Sequence, residues 1–312
     1  MEAFLKLEQV IKLLSGCSRY AKVDVFPLSG GITNKNFRAN LCGNSYVISI
    51  GGQSTKHLGI DRKAEFYNMH VAHQFGIGPA VVFQARNVMI HRFVEGRVLK
   101  AREITCKSTQ NQFVNLIQRC HRIPVAKVRG HFCVFENVEY LMREGDRLGA
   151  RLPENSAWIM VQLSRIKQAL SMNPIPTVFC HNDLVPENII CSGEKMVLID
   201  WEYSGSGDRY FDLGMVAYYH QLNDNEVREL LGAYFGKVTD SSLARLNLMH
   251  SMSALRDAAW SLVQTAVSSL DFDFVAYGQD RFRQFTRLCK QDAFQEWLNV
   301  SAASSVNDIL AR

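Results

Sequence analysis

Residues 179–190, FCHNDLVPENII, set His181, Asp183 and Asn188 between two apolar runs. A second acidic pair, Asp200 and Glu202, follows in VLIDWEY, after the strand-like pieces NIICS (188–192) and MVLID (196–200) joined by the turn GEK. A hairpin returns the chain, so the two clusters can face each other across a cleft. Phosphoryl transfer from ATP with Mg2+ needs this combination. One carboxylate accepts or orients the proton of an attacking hydroxyl, and hard oxygen ligands hold magnesium against the phosphates. Asp183 suits the first role; Asn188, Asp200 and Glu202 suit the second. His181 is expected to support the loop backbone, and Trp201, between the two acidic residues, to point away into the core. Either cluster alone could simply cap turns. Both together, in this order and with a hairpin between them, favour a site.

The elements that must carry these residues change period along the chain. MEAFLKLEQVIKLLSG places Phe4, Leu7, Val10, Ile11 and Leu14 at helical spacing, an amphipathic helix and not a signal peptide. VDVFPL (23–28), FRANL (37–41), SYVISI (45–50), AVVFQ (80–84) and VMIHRFV (88–94) read as strands, with DRKAEFYNMHVAHQFG (61–76) as a helix between the third and fourth. Asp61 is the expected N-cap of that helix and Gly76 its stop. SGGITNKN makes a polar loop between the first two strands, where the N–H groups of Gly30 and Gly31 can cradle an anion. From residue 97 the spacing is helical, as in 110–123, 156–171 and most of 227–311. The expectation is a two-lobe α+β fold: a small antiparallel-sheet lobe over 1–94, a larger helical lobe over 95–312, and a hinge at Glu95-Gly96.

Composition narrows the function classes. The 312 residues are 47% hydrophobic, enough for a large core, and the net charge of +5 is mild. The nearest approach to a basic run, 100–107, is broken by Glu103, so nucleic acid is not an expected partner. The eight cysteines contain no C-x-x-C pair, which argues against zinc and dithiol chemistry and favours a reducing compartment. No run of about 18 apolar residues exists to span a membrane. The expected location is the cytoplasm, and the oligomeric state is left open.

The segments HNDLVPENII and LIDWEYSGSGDRYFDLG resemble the choline/ethanolamine kinases and their relatives, the aminoglycoside phosphotransferases and thiamine kinases, which share the protein-kinase-like two-lobe fold. The resemblance covers nearly the whole chain. LSGGITNKNF (28–37) is similar to the phosphate-covering loop, IDRKAEFY (60–67) to the small-lobe helix and HRFVEGRVL (91–99) to the inter-lobe linker. VPEN and DWEY look closest to the bacterial choline-kinase branch. AWSLVQTAVSSLDFDFVAYGQDRF (259–282) is similar to the C-terminal helices in which aromatic residues line the alkylammonium site.

The resemblance implies Asp183 as catalytic base and Asn188, Asp200 and Glu202 at magnesium. It implies the Gly30-Gly31 backbone with Thr33 and Asn34 at the phosphates, the backbone of Arg92, Phe93 and Val94 at adenine, and Glu65 as the helix acid that holds a phosphate-binding base. Trp260, with Asp257 nearby, would take a cation. Two departures stand out. Ser49 occupies the strand position where the family carries that base, and Asp257 falls on one of the aromatic positions. Lys35 and Arg38, which flank the phosphate loop, are expected to supply the missing charge ahead of Lys56, Arg62 and Lys63. The implied activity is ATP-dependent phosphorylation of the hydroxyl of choline or ethanolamine. The alternatives are a kinase for thiamine or another amino-alcohol, and a nucleotide-binding protein with little transfer activity.

Overall fold

The structure, a computed structural model, describes residues 24–28, 33–41, 43–85 and 87–310. The expected N-terminal helix and the Gly30-Gly31 pair lie outside these residues. Five antiparallel strands open the described chain: β1 (Asp24–Leu28), β2 (Asn34–Leu41), β3 (Asn44–Gly51), β4 (Val81–Ala85) and β5 (Val88–Arg92), in the spatial order β1-β2-β3-β5-β4. The β2–β3 register runs from Asn34 opposite Gly51 to Leu41 opposite Asn44, and Gly43 in the turn adopts φ +73°. Alternation along the strands sorts the two faces. Ala39, Ile48, Val88 and Ile90 form a small buried cluster on one face. Asn34, Asn36 and Arg38, with Ser45, Val47 and Ser49 of β3 and Met89 and His91 of β5, share the other.

That second face receives helix α1 (Arg62–Gln74). As expected, the Asp61 carboxylate caps the helix, accepting from the N–H groups of Lys63 (2.8 Å) and Ala64 (3.2 Å). Gly76, at φ +66°, follows the last turn. The helix buries Glu65, Asn68 and Met69 against the sheet and the rest of the protein.

The remainder is mainly helical. After β6 (Arg97–Val98) come α2 (Lys107–His121), α3 (Val134–Arg147), α4 (Ser156–Ser171), β7 (Val178–Cys180), β8 (Ile189–Ser192), β9 (Lys195–Leu198) and β10 (Gly205–Gly207). Helices α5 (Arg209–Tyr219), α6 (Asp224–Phe235), α7 (Asp240–Val267), α8 (Phe274–Cys289) and α9 (Ala293–Ala303) follow. Strand β8 pairs with β9 as the sequence hairpin requires, and also with β6. Strand β10 pairs with β7. The sheet is tied to the β8–β9 hairpin at one cross-strand pair. Leu198 N–H donates to the Ile77 carbonyl (2.9 Å), Leu99 N–H donates to the Ile189 carbonyl (2.8 Å), and Ile189 faces Leu198 in the ladder.

Helix α7 is buried on nearly every side, which makes it the axis of the helical part. No helix among the described residues is long and apolar enough to cross a membrane. Helix α5 crosses α7 so closely that a Cβ at Gly214 would lie 2.8 Å from the backbone of Met249 and His250. Gly214→Ala should therefore cost about 1–3 kcal/mol, the scale of overpacking a core. Gly232→Ala in α6, whose Cβ would meet only Val238 at 3.6 Å, should be neutral or gain up to about 1 kcal/mol from helix propensity. Urea denaturation of the two variants measures the difference.

Candidate active site

The loop after β7 is held from below by Asp212 of α5. This fully buried carboxylate accepts from the N–H groups of His181 (2.9 Å) and Asn182 (2.7 Å) and lies 3.0 Å from His121 Nε2. His121 Nδ1 in turn meets the Tyr234 hydroxyl at 2.6 Å. His121, Cys180 and Asp212 offer ligand atoms within 4.8 Å of one another. Both ring nitrogens of His121 and both oxygens of Asp212 are already engaged in hydrogen bonds, so the trio is a scaffold and not a metal centre. His181 behaves as its spacing suggested. Its Nε2 meets the Ile199 carbonyl at 3.0 Å and its ring lies 4.7 Å from that of Trp201. Burial pushes its pKa down, so the ring is neutral and Nε2 is the donor. Trp201 is fully buried, stacked on Phe179 at 5.4 Å, with Nε1 donating to the Leu198 carbonyl.

Asp183 leaves this loop with both carboxylate oxygens held. Asn188 Nδ2 donates to its carbonyl (2.9 Å) and to Oδ2 (3.0 Å), and Arg256 Nη1 donates to Oδ1 at 3.3 Å. The amide nitrogen of Asn188 makes both contacts, so its oxygen is the atom available to a metal. Asp200 follows β9 at φ +62°, a left-handed conformation that costs a non-glycine residue energy and is concentrated at functional sites. Glu202 reaches across the cleft, where Thr33 Oγ1 donates to its two oxygens at 3.0 and 3.1 Å and Arg62 Nη1 at 3.3 Å.

Charge is dense here. Burial, reinforced by Glu202, Glu65 and Asp183, pushes the Asp200 carboxyl well above the usual carboxylate range. Burial likewise pushes Glu202 up to about 7, against the opposing charge of Arg62 and with that of Glu65. Such repulsion between buried carboxylates is what a divalent cation relieves. The donor set of Asn188, Asp200 and Glu202, all hard oxygens, fits Mg2+. Glu65 is buried and takes Arg62 Nη1 on its Oε2 at 2.6 Å, while Arg62 Nη2 donates to Asn34 Oδ1, also at 2.6 Å.

Several expectations need correction. The side chain of Lys35 is exposed, on the sheet face opposite Asn34 and Asn36, so strand parity turns it away from the cleft. Arg38 is on the cleft face, but it lies over the Phe93 ring (4.1 Å) and donates to Glu95 (2.8 Å) and Ser45 (3.0 Å) at the linker. The cation that meets Glu65 is Arg62. The Arg92 and Phe93 N–H groups donate to the carbonyls of Ala80 (2.8 Å) and Ser45 (3.0 Å), so of their backbone groups it is not the N–H that could meet adenine. Among the described residues the N–H of Val94 makes no backbone bond. Three residues that the motifs contain acquire roles only in the structure: Asp212 in DRYFDLG, Arg256 beside Asp257, and Tyr277, whose hydroxyl donates to Asp257 at 3.0 Å.

A strand-rich lobe and a helical lobe that bring an acid and an amide from one loop opposite two acids after a hairpin define a kinase-like phosphotransferase fold. The structure of a choline/ethanolamine kinase family protein from Mesorhizobium loti superposes with a TM-score of 0.78 at 24% identity, over 95% of this chain and 99% of that one. The choline/ethanolamine kinase family model matches residues 25–228, and the chain belongs to that family, whose members are phosphotransferases acting on an alcohol. It is 26% identical to protein LicA of Haemophilus influenzae over 237 residues, 72% of this chain and 67% of LicA. It is also 26% identical to human ethanolamine kinase 2 over 300 residues, 84% of this chain and 75% of that one.

Removing the Asp212 carboxylate would leave two buried N–H groups of the loop after β7 unpaired, at about 1–3 kcal/mol each. Asp212→Ala is expected to lose about 3–5 kcal/mol of stability. Asp212→Asn, which keeps one acceptor oxygen, should fall between it and wild type. Equilibrium denaturation of the three proteins checks the order.

Proposed function

We propose that this protein transfers the γ-phosphoryl group of ATP to the hydroxyl of a small cationic alcohol, choline or ethanolamine. One observation carries the choice of substrate. A single nitrogen of Arg256, Nη1, lies 3.3 Å from Asp183 and 3.4 Å from Asp257. A carboxylate suited to an ammonium head therefore sits one guanidinium away from the carboxylate suited to the hydroxyl proton. Asp257 is buried and takes the hydroxyls of Tyr219 and Tyr277 on Oδ2. Tyr277 meets Phe272 edge-on at 5.7 Å, Phe272 meets Phe274 at 4.8 Å, and Trp260 meets Phe274 at 5.8 Å. Carboxylate and π-faces together are the chemistry that holds an alkylammonium. Membership of the choline/ethanolamine kinase family supports the same reading.

In this reading Asp183 orients the acceptor hydroxyl and takes its proton as the new O–P bond forms. Asn188 fixes one oxygen of the Asp183 carboxylate, and Arg256 donates to the other. Magnesium, held by Asn188, Asp200 and Glu202, would offset the phosphate charge. No phospho-enzyme is required, because the hydroxyl and the nucleotide meet in one cleft.

Coupled ADP release over a panel of choline, ethanolamine, thiamine and the uncharged carbon isostere of choline is the test. Choline or ethanolamine should give the highest kcat/KM and the uncharged isostere a much lower one. A preference for thiamine, or no ADP release with any alcohol, would overturn the reading. Asp183→Asn should keep its fold and its nucleotide affinity while turnover falls by at least about a hundredfold.

The aromatic wall gives a separate expectation. Trp260→Ala should raise the KM for choline about 5–30-fold, the loss of one cation–π face, and leave the KM for ATP unaltered. Steady-state kinetics with each substrate varied in turn resolves the two constants.

A further inference from the structure

We infer that Arg62, from the first turn of α1, supplies the phosphate-facing charge that Ser49 cannot, so that in this chain the nucleotide-binding cation has moved from strand to helix. The inference rests on the reading of this cleft as an ATP site.

Four observations place the charge. First, Ser49, Arg62 and Glu65 line one cavity of about 20 Å³, so the guanidinium lies beside the strand position that lacks a base. Gly51 lies directly beside it: a Cβ there would be in ordinary van der Waals contact with Arg62 Nε, at 3.4 Å. Second, Arg62 joins the two sides of the phosphate path. Nη2 donates to Asn34, the first residue of β2 after the expected phosphate loop, and Nη1 donates both to Glu65 and to Glu202 on the metal side. Third, Nε is buried with no acceptor among the described residues, although the side chain as a whole is 23% exposed. One donor of the guanidinium is thus unused, and part of the side chain remains accessible. Fourth, its position works against local stability. A cation in the first turn of a helix opposes the macrodipole, and its neighbour Glu65 at i+3 is buried and could not stand there unpaired.

The other cations near the loop are committed elsewhere or exposed. Arg38 serves the linker, and Lys35, Lys56 and Lys63 are exposed. In this structure Arg62 shares Nη1 between a short bond to Glu65 and a longer one to Glu202. The longer bond is the one to be exchanged: phosphate oxygens would take Arg62, and Glu202 would be released to the metal. Glu65 would keep the guanidinium throughout.

The test is calorimetric titration of Mg-ATP, Mg-ADP and adenosine, without acceptor alcohol, into wild type, Arg62→Ala, Arg62→Lys, Ser49→Arg and the double variant Arg62→Ala with Ser49→Arg. Arg62→Ala should weaken Mg-ATP and Mg-ADP by about 10–100-fold, the scale of a hydrogen bond to a charged group, and leave adenosine unaltered. Arg62→Lys should fall between, because a point charge cannot serve Glu65, Asn34 and a phosphate together. The double variant should regain most of the lost affinity, since the charge returns to the strand. If Arg62→Ala does not fold, Arg62→Gln, which keeps a donor for Asn34, carries the same readings.

Undiminished affinity for Mg-ADP in folded Arg62 variants, an equal loss for adenosine, or no recovery in the double variant overturns the inference while wild-type turnover leaves the kinase reading intact. A wild type that binds no Mg-nucleotide and releases no ADP overturns both.

Discussion

Everything in the cleft depends on one buried carboxylate that touches no reactant. Asp212 gathers the N–H groups of His181 and Asn182 and the ring of His121 around two oxygens. A loop that must present Asp183 to a substrate cannot satisfy its own backbone with a regular ladder, and buried N–H groups without partners are costly. Asp212 meets that demand from α5, a helix packed on the central helix α7. The loop that carries Asp183 is thereby fastened to the central, buried helix α7. The left-handed residues Asn182 and Asp200 then stand on a rigid base, and rigidity is what lets a strained conformation persist.

Around that base the protein balances an excess of negative charge. Glu65, Asp183, Asp200, Glu202 and Asp257 lie in or beside the cleft, with Arg62 and Arg256 woven between them. Each guanidinium bridges two carboxylates, Arg62 between the lobes and Arg256 between the proposed base and the proposed cation site. In each case the two carboxylates share one terminal nitrogen, Nη1, of a side chain that stays charged. The residual negative charge fits a nucleotide delivered with magnesium and a cationic acceptor. Desolvating those cations is offset by carboxylates that repel one another in their absence.

How much of this could be read from the sequence differed by kind of signal. The order of strands and helix through residue 92, the Asp61 cap and the β8–β9 hairpin follow from period and capping chemistry, and they stand where expected. Helix α4 coincides with the expected 156–171. Strands β6, β7 and β10 are two or three residues long, shorter than any window in which periodicity can register. Helix α3 carries helical apolar spacing at Val134, Val138, Leu141 and Met142, yet no motif drew attention to it. At the site, Asp183, Asn188, Asp200 and Glu202 do converge. Lys35 and Arg38 do not meet Glu65, because nearness in sequence to the phosphate loop is not nearness in space. Strand parity sends one to the wrong face, and the linker captures the other. Arg62 is 28 residues from Asn34 and 140 from Glu202, a convergence that only the register of sheet and helix creates.

The attachment of the sheet to the β8–β9 hairpin has a mechanical meaning. The chain leaves the hairpin at Ile77 and returns to it at Leu99, and both backbone bonds land on the facing residues Ile189 and Leu198. Those residues directly follow Asn188 and precede Asp200 by two positions, so the proposed metal ligands sit almost on the axle. Helix α1 ends beside the axle at Gln74 and carries Arg62 at its far tip, and thirteen residues of helix make a lever about 20 Å long. A rotation that barely disturbs the oxygen ligands is therefore magnified at the guanidinium. A rotation of the sheet about those two bonds would carry Arg62 and Thr33 off Glu202 and leave Asn188 and Asp200 nearly in place.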